Sequence, residues 1–407
     1  MTTLAVLGAR GFIGRNIAAA LEARGATIRR LGRPECDLVR TRPDDLVTAL
    51  AGAEVAVNAV GLLSGRLEEV HVDGVRNLVE ACRQAGVRRL VHVSALGSAP
   101  DGATRYWSTK GIAEAFLAEV CEFEVRIVRP SLVVGPGGAS TELFAALAAL
   151  PVVPRIASGP LRPIALDDLV EIVARATDRE IHTPTRIDAV GPDVMGVDGI
   201  VDALGAWLGS RPVGSLSLGR GLLALQARVS GALGIGPMDA EAFAMLVAGN
   251  SADIGSTVGA LGRAPVSISA GLRRRPATAA DRLFARLYFV RPMLRLTLAV
   301  FWIATGCLSF GLYPVEKSRA LLADLGLVGA PASVALFGGA ALDLFLGVLL
   351  LLAVRVKAVG GAMLTLMAAY TVLAMRLPAD FWLHPLAPLL KNLPIAAAIL
   401  AMIAMEE

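Results

Sequence analysis

The sequence predicts a doubly wound α/β domain, built on a parallel sheet with a small loop-rich lobe, followed by an all-α bundle of four transmembrane helices. Three observations carry this reading. Short β-branched strands alternate with helical patterns through the first part of the chain. A glycine-rich loop separates the first strand from the first helix. The apolar excess, 55% hydrophobic against 18% charged residues, collects near the C-terminal end.

Leu4–Leu7 reads as the first strand. It runs into Gly8-Ala9-Arg10-Gly11-Phe12-Ile13-Gly14 and then a helical pattern, Asn16–Ala23. Glycines at this junction let backbone approach a pyrophosphate, and the helix N-terminus offers N–H groups and partial positive charge. The second strand, Ala26–Leu31, ends in Arg29-Arg30-Leu31-Gly32-Arg33, where an acid would take the ribose hydroxyl of NAD. A guanidinium suits a 2′-phosphate, which favours NADP(H) over NAD(H); a solvated basic surface is the alternative. Val55–Val60, Leu90–Ser94 and Val125–Val128 are further strands, with helices at Leu67–Ala85 and Tyr106–Val120.

Ser94 falls at the carboxyl end of the fourth strand, where doubly wound sheets bind ligands. Tyr106 and Lys110 follow at i and i+4 on one helix face. A nearby ammonium favours the phenolate and suits the tyrosine to proton transfer, with Ser94 placed to hold a carbonyl or hydroxyl oxygen. From Gly196 to Gly262, 14 of 67 residues are glycine, so this stretch is expected to form a loop-rich lobe over the strand ends. Its amphipathic piece Leu222–Val229 could instead rest on a membrane.

Leu294–Tyr313, Val334–Val354, Ala358–Met375 and His384–Met405 are apolar runs of 20, 21, 18 and 22 residues, and a bilayer core needs about 20. Arg273, Arg274, Arg275, Arg282, Arg286 and Arg291 precede the first run, and Arg355 and Lys357 link the second and third. The positive-inside rule then places both termini in the cytoplasm, with four spans in the cell (inner) membrane. The chain divides into residues 1–270, a basic linker 271–292 and a membrane domain 293–407. By counting 1.5 Å per residue, Asp343 and Lys391 lie about 15 and 12 Å below the outer edge, with Tyr370 at about 9 and Thr305 at about 13. Opposite charges at one depth are costly unless paired, so an Asp343–Lys391 ion pair is expected. With Tyr370 and Thr305 it would form a polar pocket for a quinone or lipid head group.

A net charge of +4 gives no argument for a nucleic-acid partner, and the four scattered cysteines supply no metal spacing or disulfide framework. A reduced, cytosol-facing compartment fits them best. The N-terminus does not read as a signal peptide, because its apolar stretch breaks at Gly8. His71, His92 and His384 show no ligand spacing and read as packing or surface residues.

The loop Gly8–Gly14, Asn58-Ala59-Val60-Gly61, the Val91–Gly97 segment, Tyr106-Trp107-Ser108-Thr109-Lys110 and Arg129-Pro130-Ser131 together resemble the extended and atypical short-chain dehydrogenase/reductases. The branch that includes the nucleotide-binding accessory subunit of complex I is the nearest in pattern, over roughly residues 1–270. The resemblance implies an NAD(P)-binding Rossmann fold, with a dinucleotide on Gly8, Gly11 and Gly14 and Arg33 near the adenosine phosphate. It further implies Asp37 and Leu38 by the adenine, Ala59 and Gly61 along the cofactor, and Ser94, Tyr106 and Lys110 at the nicotinamide. Asp73 departs from the pattern, standing where many relatives carry asparagine, which puts a conventional proton relay in doubt. Residues from about 291 to 405 resemble the DoxX-like four-span family, which implies association with membrane redox partners or quinones.

Two functions follow from these expectations. One is a membrane-anchored NAD(P)(H)-dependent oxidoreductase or epimerase-like enzyme with Tyr106 and Lys110 as its acid/base pair. The alternative is a non-catalytic nucleotide-binding scaffold or redox sensor. No pattern in the lobe specifies the substrate.

Overall fold

The computed structural model describes residues 2–33, 36–219, 221, 240–377 and 389–406, in two compact units, Met1–Ala285 and Arg286–Glu407. In the first unit β1 (Thr3–Leu7), α1 (Phe12–Ala23), β2 (Thr27–Leu31), α2 (Pro43–Leu50), β3 (Val55–Asn58), α3 (Gly74–Ala85), β4 (Arg89–Val93), α4 (Arg105–Ala118) and β5 (Glu124–Pro130) succeed one another. Beyond them come β6 (Val133–Val134), α5 (Ala139–Ala148), β7 (Val152–Ile156), β8 (Ile164–Ala165), α6 (Leu166–Thr177) and β9 (Arg186–Ala189). Six strands form one parallel sheet in the order β2-β1-β3-β4-β5-β9.

Alternation along each strand builds two cores. Val6, Val57 and Val91 pack with Ile17 and Leu21 of α1 and Leu169 and Ile172 of α6. Ala5, Leu7, Ala56 and Leu90 pack on the other face with Leu46 of α2, Leu78 of α3 and Leu117 of α4. Covered on both sides, the central strands read as short continuous apolar runs. Leu7 stands opposite Leu31 on one side and Asn58 on the other, so the chain reverses its strand order at β1. Such a switch point opens a crevice at the carboxyl ends of the strands.

The stretch expected to be loop-rich is more regular than its glycine content suggests. It holds α7 (Val197–Leu208), β10 (Gly214–Leu218), which pairs in parallel with β7, and helices Ala240–Ala248 and Gly255–Leu261. Gly209 and Gly262 end two of these helices in the left-handed conformation that glycine adopts without strain. Gly196 and Gly209 bracket α7, whereas Gly199 and Gly205 lie within it. Leu222–Val229 lies outside the described residues. The basic segment after residue 270 folds as helices Ile268–Arg274 and Ala279–Leu287, with Leu272, Ala277 and Ala285 buried.

In the second unit Val290–Cys307, continued by a π-helical turn Leu308–Leu312, packs on Ala330–Leu351; Val356–Ala374 and Asn392–Ala404 follow. Small residues permit the close crossing. A Cβ on Gly306 would lie 2.9 Å from the Ala340 carbonyl oxygen, and one on Gly347 would lie 3.1 Å from that of Ala299. Among the described residues three helices are long and apolar enough to cross a membrane; a further apolar helix, Asn392–Ala404, has 13 residues. Val300, Phe301, Val334, Phe345 and Val372 are exposed on their outer faces, as lipid contact requires.

The expected Asp343–Lys391 ion pair does not form. Asp343 is buried in the bundle, whereas Lys391 is exposed at the start of the last helix, and no ion pair joins them among the described residues. The depth count assumed one span from His384, which lies outside the described residues; the helix begins only at Asn392, so Lys391 sits at its end. Tyr370 does approach Asp343's face of its helix: a Cβ on Gly339, one turn earlier, would be 2.7 Å from the Tyr370 hydroxyl. Thr305 instead donates its hydroxyl to the Phe301 carbonyl of its own helix, at 2.9 Å.

Candidate active site

The glycine loop folds tightly between β1, β3 and α1. Gly8 has φ +75°, and a Cβ there would lie 2.9 Å from the Ala59 carbonyl. Gly11 donates its N–H to the Gly8 carbonyl at 2.9 Å and caps α1 with extended backbone and no side-chain bond. Helix α1 therefore starts at Phe12, inside the loop and four positions before the expected Asn16, with its N-terminus turned to the crevice.

A cavity of about 330 Å³ opens there, lined by Gly8, Arg10, Gly11, Gly32, Arg33, Asp37, Leu38, Ala59 and Gly61 among others. Eight of the residues expected to hold a cofactor thus meet at one cavity. Phe12, Ile13 and Gly14 are not in its lining and belong to the first turn of α1 behind it. The basic end of β2 resolves into separate roles. Arg29 donates to the carbonyls of Ala49 and Ala51 at the end of α2, and Arg30 pairs with Glu22 at 2.6 Å. Arg33 and Arg10 line the cavity, the Arg10 side chain lying against Gly32. Asp37 accepts the Val39 N–H at 3.0 Å, which fixes its turn.

Ser94, Tyr106 and Lys110 are not in the cavity lining; α4 meets the sheet beyond Gly61. Lys110, 3% exposed, donates to the Val93 carbonyl at 3.0 Å, and a Cβ on Gly61 would lie 3.4 Å from its Nζ. Lys110 therefore reaches the cavity wall through the space that Gly61 leaves open. Burial pushes its ammonium down to about 8, partly opposed by Glu114. Burial pushes the Tyr106 phenol up to about 12. The lowering of Tyr106 expected from Lys110 is not found; desolvation raises the phenol, which holds its proton at neutral pH.

Ser94 is buried at the end of β4, as expected, and donates its hydroxyl to Glu114. Glu114 also pairs with Arg129 at 3.3 Å, and Arg129 with Asp188 at 3.4 Å. Burial raises the Glu114 carboxyl despite these partners. Glu114 lies on α4 one turn beyond Lys110, a spacing visible in the sequence.

Two histidines join the site that the sequence left as packing residues. A π-helical turn, Glu69–Asp73, precedes α3 and directs His71 inward, its ring edge-on to Tyr106 at 5.6 Å. His71 Nε2 accepts the Leu62 N–H at 3.1 Å, so its proton sits on Nδ1, which donates to Thr109 Oγ1 at 2.9 Å. Burial and Lys110 push its pKa down to about 3, so the ring stays neutral. Asn58 accepts the Val60 N–H and donates to His92 Nδ1 at 3.1 Å, which leaves the His92 proton on a buried Nε2. Asp73, the departure noted in the sequence, is 60% exposed and faces Arg76 at 3.8 Å. It takes no part in this cluster.

The arrangement fits a dinucleotide by its own geometry: an uncapped helix N-terminus, glycines whose absent Cβ atoms leave the cradle open, and a buried lysine behind Gly61. Comparison with known proteins agrees. Residues 4–160 match the NAD dependent epimerase/dehydratase family, and residues 299–400 match the DoxX-like family. Sterol demethylase protein B of Methylococcus capsulatus is 34% identical, over 33% of this chain and 52% of that protein. Ceramide reductase of Caulobacter vibrioides is also 34% identical, over 37% of this chain and 53% of that protein. The chain spans about half the length of these curated relatives. The solved structure of MoeE5 with UDP-glucose and NAD covers 71% of this chain and all of its own, at 20% identity and a TM-score of 0.52, which is a likeness of fold.

Proposed function

We propose, from a chain that joins an NAD dependent epimerase/dehydratase domain to a DoxX-like membrane domain, a nicotinamide-dependent oxidoreductase that reduces a carbonyl on an apolar, lipid-like substrate. The observation that carries this is a cavity walled by Gly8, Gly11, Ala59 and Gly61, with the buried Lys110 ammonium against Gly61. A bound nicotinamide supplies the hydride. Gly8, Gly11 and the N-terminus of α1 would hold its pyrophosphate, and Lys110 its ribose beside Gly61. Tyr106, protonated at neutral pH, serves as the acid that delivers a proton to the carbonyl oxygen. Ser94, held by Glu114, orients that oxygen. A lipid-like substrate is supported by the two relatives named for a sterol and a ceramide, and by the membrane helices.

The test is native mass spectrometry of the detergent-purified protein, to identify bound nucleotide, followed by incubation with NADPH or NADH and sterol- and ceramide-type ketones. Oxidation of the nucleotide with matching alcohol formation supports the proposal. A nucleotide that stays bound and reduced with every ketone would favour the scaffold reading.

NADP(H) preference rests on Arg33 at the cavity and the lack of an acid at the end of β2. Arg33→Asp is expected to move the NADPH to NADH affinity ratio toward NADH by about tenfold or more. Equal dissociation constants in the parent protein would remove this argument.

Lys110 sets a pH dependence. Its pKa lies below the ordinary lysine value, at about 8, so its charge is present below pH 8 and lost as pH rises through it. Cofactor affinity measured by titration calorimetry is expected to fall above pH 8, approaching about tenfold per pH unit. In Lys110→Arg, whose charge does not titrate, the break should vanish; a break that survives assigns it elsewhere.

A further inference from the structure

The C-terminal end of the first unit carries a surface that the proposed reaction does not use. Helix Ala279–Leu287 opens with a reciprocal cap: Thr278 Oγ1 accepts the Asp281 N–H at 3.1 Å, and Asp281 accepts the Thr278 N–H at 2.8 Å. Its inner side is fixed to the Rossmann domain. Ala285 is buried, Arg282 Nε donates to the Leu208 carbonyl at the end of α7 at 3.0 Å, and Trp207 Nε1 donates to the Arg275 carbonyl at 2.7 Å.

Its outer side is apolar and flanked by arginines. Leu283 is 58% and Phe284 46% exposed, an uncommon pairing for a helix facing water. Arg273, Arg274 and Arg286 are exposed, and none has an ion pair among the described residues. Asp281, the only acid between residues 271 and 295, is engaged in the cap. The chain leaves this helix at Leu287 and enters the first apolar helix at Val290. An apolar strip with basic flanks on a helix of this kind matches the boundary between acyl chains and anionic head groups.

We infer that residues 268–287 form an interfacial anchor, with Leu283 and Phe284 in the acyl boundary and Arg273, Arg274 and Arg286 on the phosphates of anionic lipids. Arginines at this surface each change lipid partitioning by about fivefold.

The test is hydrogen exchange of the full-length protein in nanodiscs of phosphatidylcholine alone or with a third of phosphatidylglycerol. Amides of 279–287 should exchange at least tenfold more slowly with the anionic lipid, and added salt should reverse the difference. The exposed double variant Leu283→Ser/Phe284→Ser and the triple variant Arg273→Gln/Arg274→Gln/Arg286→Gln should each abolish it, with unchanged exchange in β1 and β4 confirming the fold. Exchange that is equal in both lipids overturns the proposal. So does protection seen only in discs holding two copies, which assigns the face to a dimer.

Discussion

Replacing Tyr106 with phenylalanine is expected to lower the single-turnover rate of nucleotide oxidation by about 10²-fold or more, while nucleotide affinity stays within about twofold. The substitution removes one oxygen and leaves the ring. That ring keeps its edge-on contact with His71, and its backbone carbonyl still receives the Thr109 hydroxyl at 3.2 Å, so α4 has no reason to shift. What is lost is a proton that burial holds on the phenol up to a pH of about 12. His71 commits its Nδ1 proton to Thr109, and Ser94 commits its hydroxyl to Glu114. A parent-like rate in the variant, with any ketone that the parent reduces, would sink the assignment of Tyr106 as the acid.

The parts of this site that were legible in the sequence are those carried by contiguous motifs. The loop Gly8–Gly14, Ser94 at a strand end and the Tyr106–Lys110 spacing each declare their geometry within a few residues. His71 was hidden because facing depends on the local helical pitch. A π-helical turn over Glu69–Asp73 shifts which side chain points inward, so His71 is buried and Asp73 is solvent-exposed. Glu114 shares a face with Lys110 by simple spacing, but only the tertiary fold shows that this face meets Ser94 and Arg129. Helix α2 has a readable start, with Pro43 in the first turn and Asp44 and Asp45 beside it. In the membrane domain hydropathy located three helices, yet a depth count could not locate Lys391, because it assumed where the last helix begins.

The glycine loop gives the other large effect, and here the reason is steric. In Gly14→Ala the new Cβ would lie 2.2 Å from the Gly8 carbonyl oxygen and 2.7 Å from its carbon. Both are backbone atoms, and Gly8 cannot retreat. Its carbonyl accepts the Gly11 N–H at 2.9 Å, and its own Cα side is closed by the Ala59 backbone. The first turn of α1 must therefore move off β1, carrying with it the N–H groups that face the cavity. Overpacking of this kind costs about 1–3 kcal/mol, which for a domain of this size lowers Tm by about 2–10 °C. Nucleotide affinity is expected to fall further than stability, by about 10²-fold, because the cradle depends on helix position to a fraction of an ångström. Gly25→Ala separates the two effects. Gly25 has φ +84° with nothing within 4 Å of a Cβ, so that variant bears backbone strain of about 1 kcal/mol and touches no part of the cavity. Calorimetry should then show Gly25→Ala slightly destabilised with parent affinity and Gly14→Ala impaired in both. Parent-like affinity in Gly14→Ala would mean that the N-terminus of α1 does not hold the nucleotide.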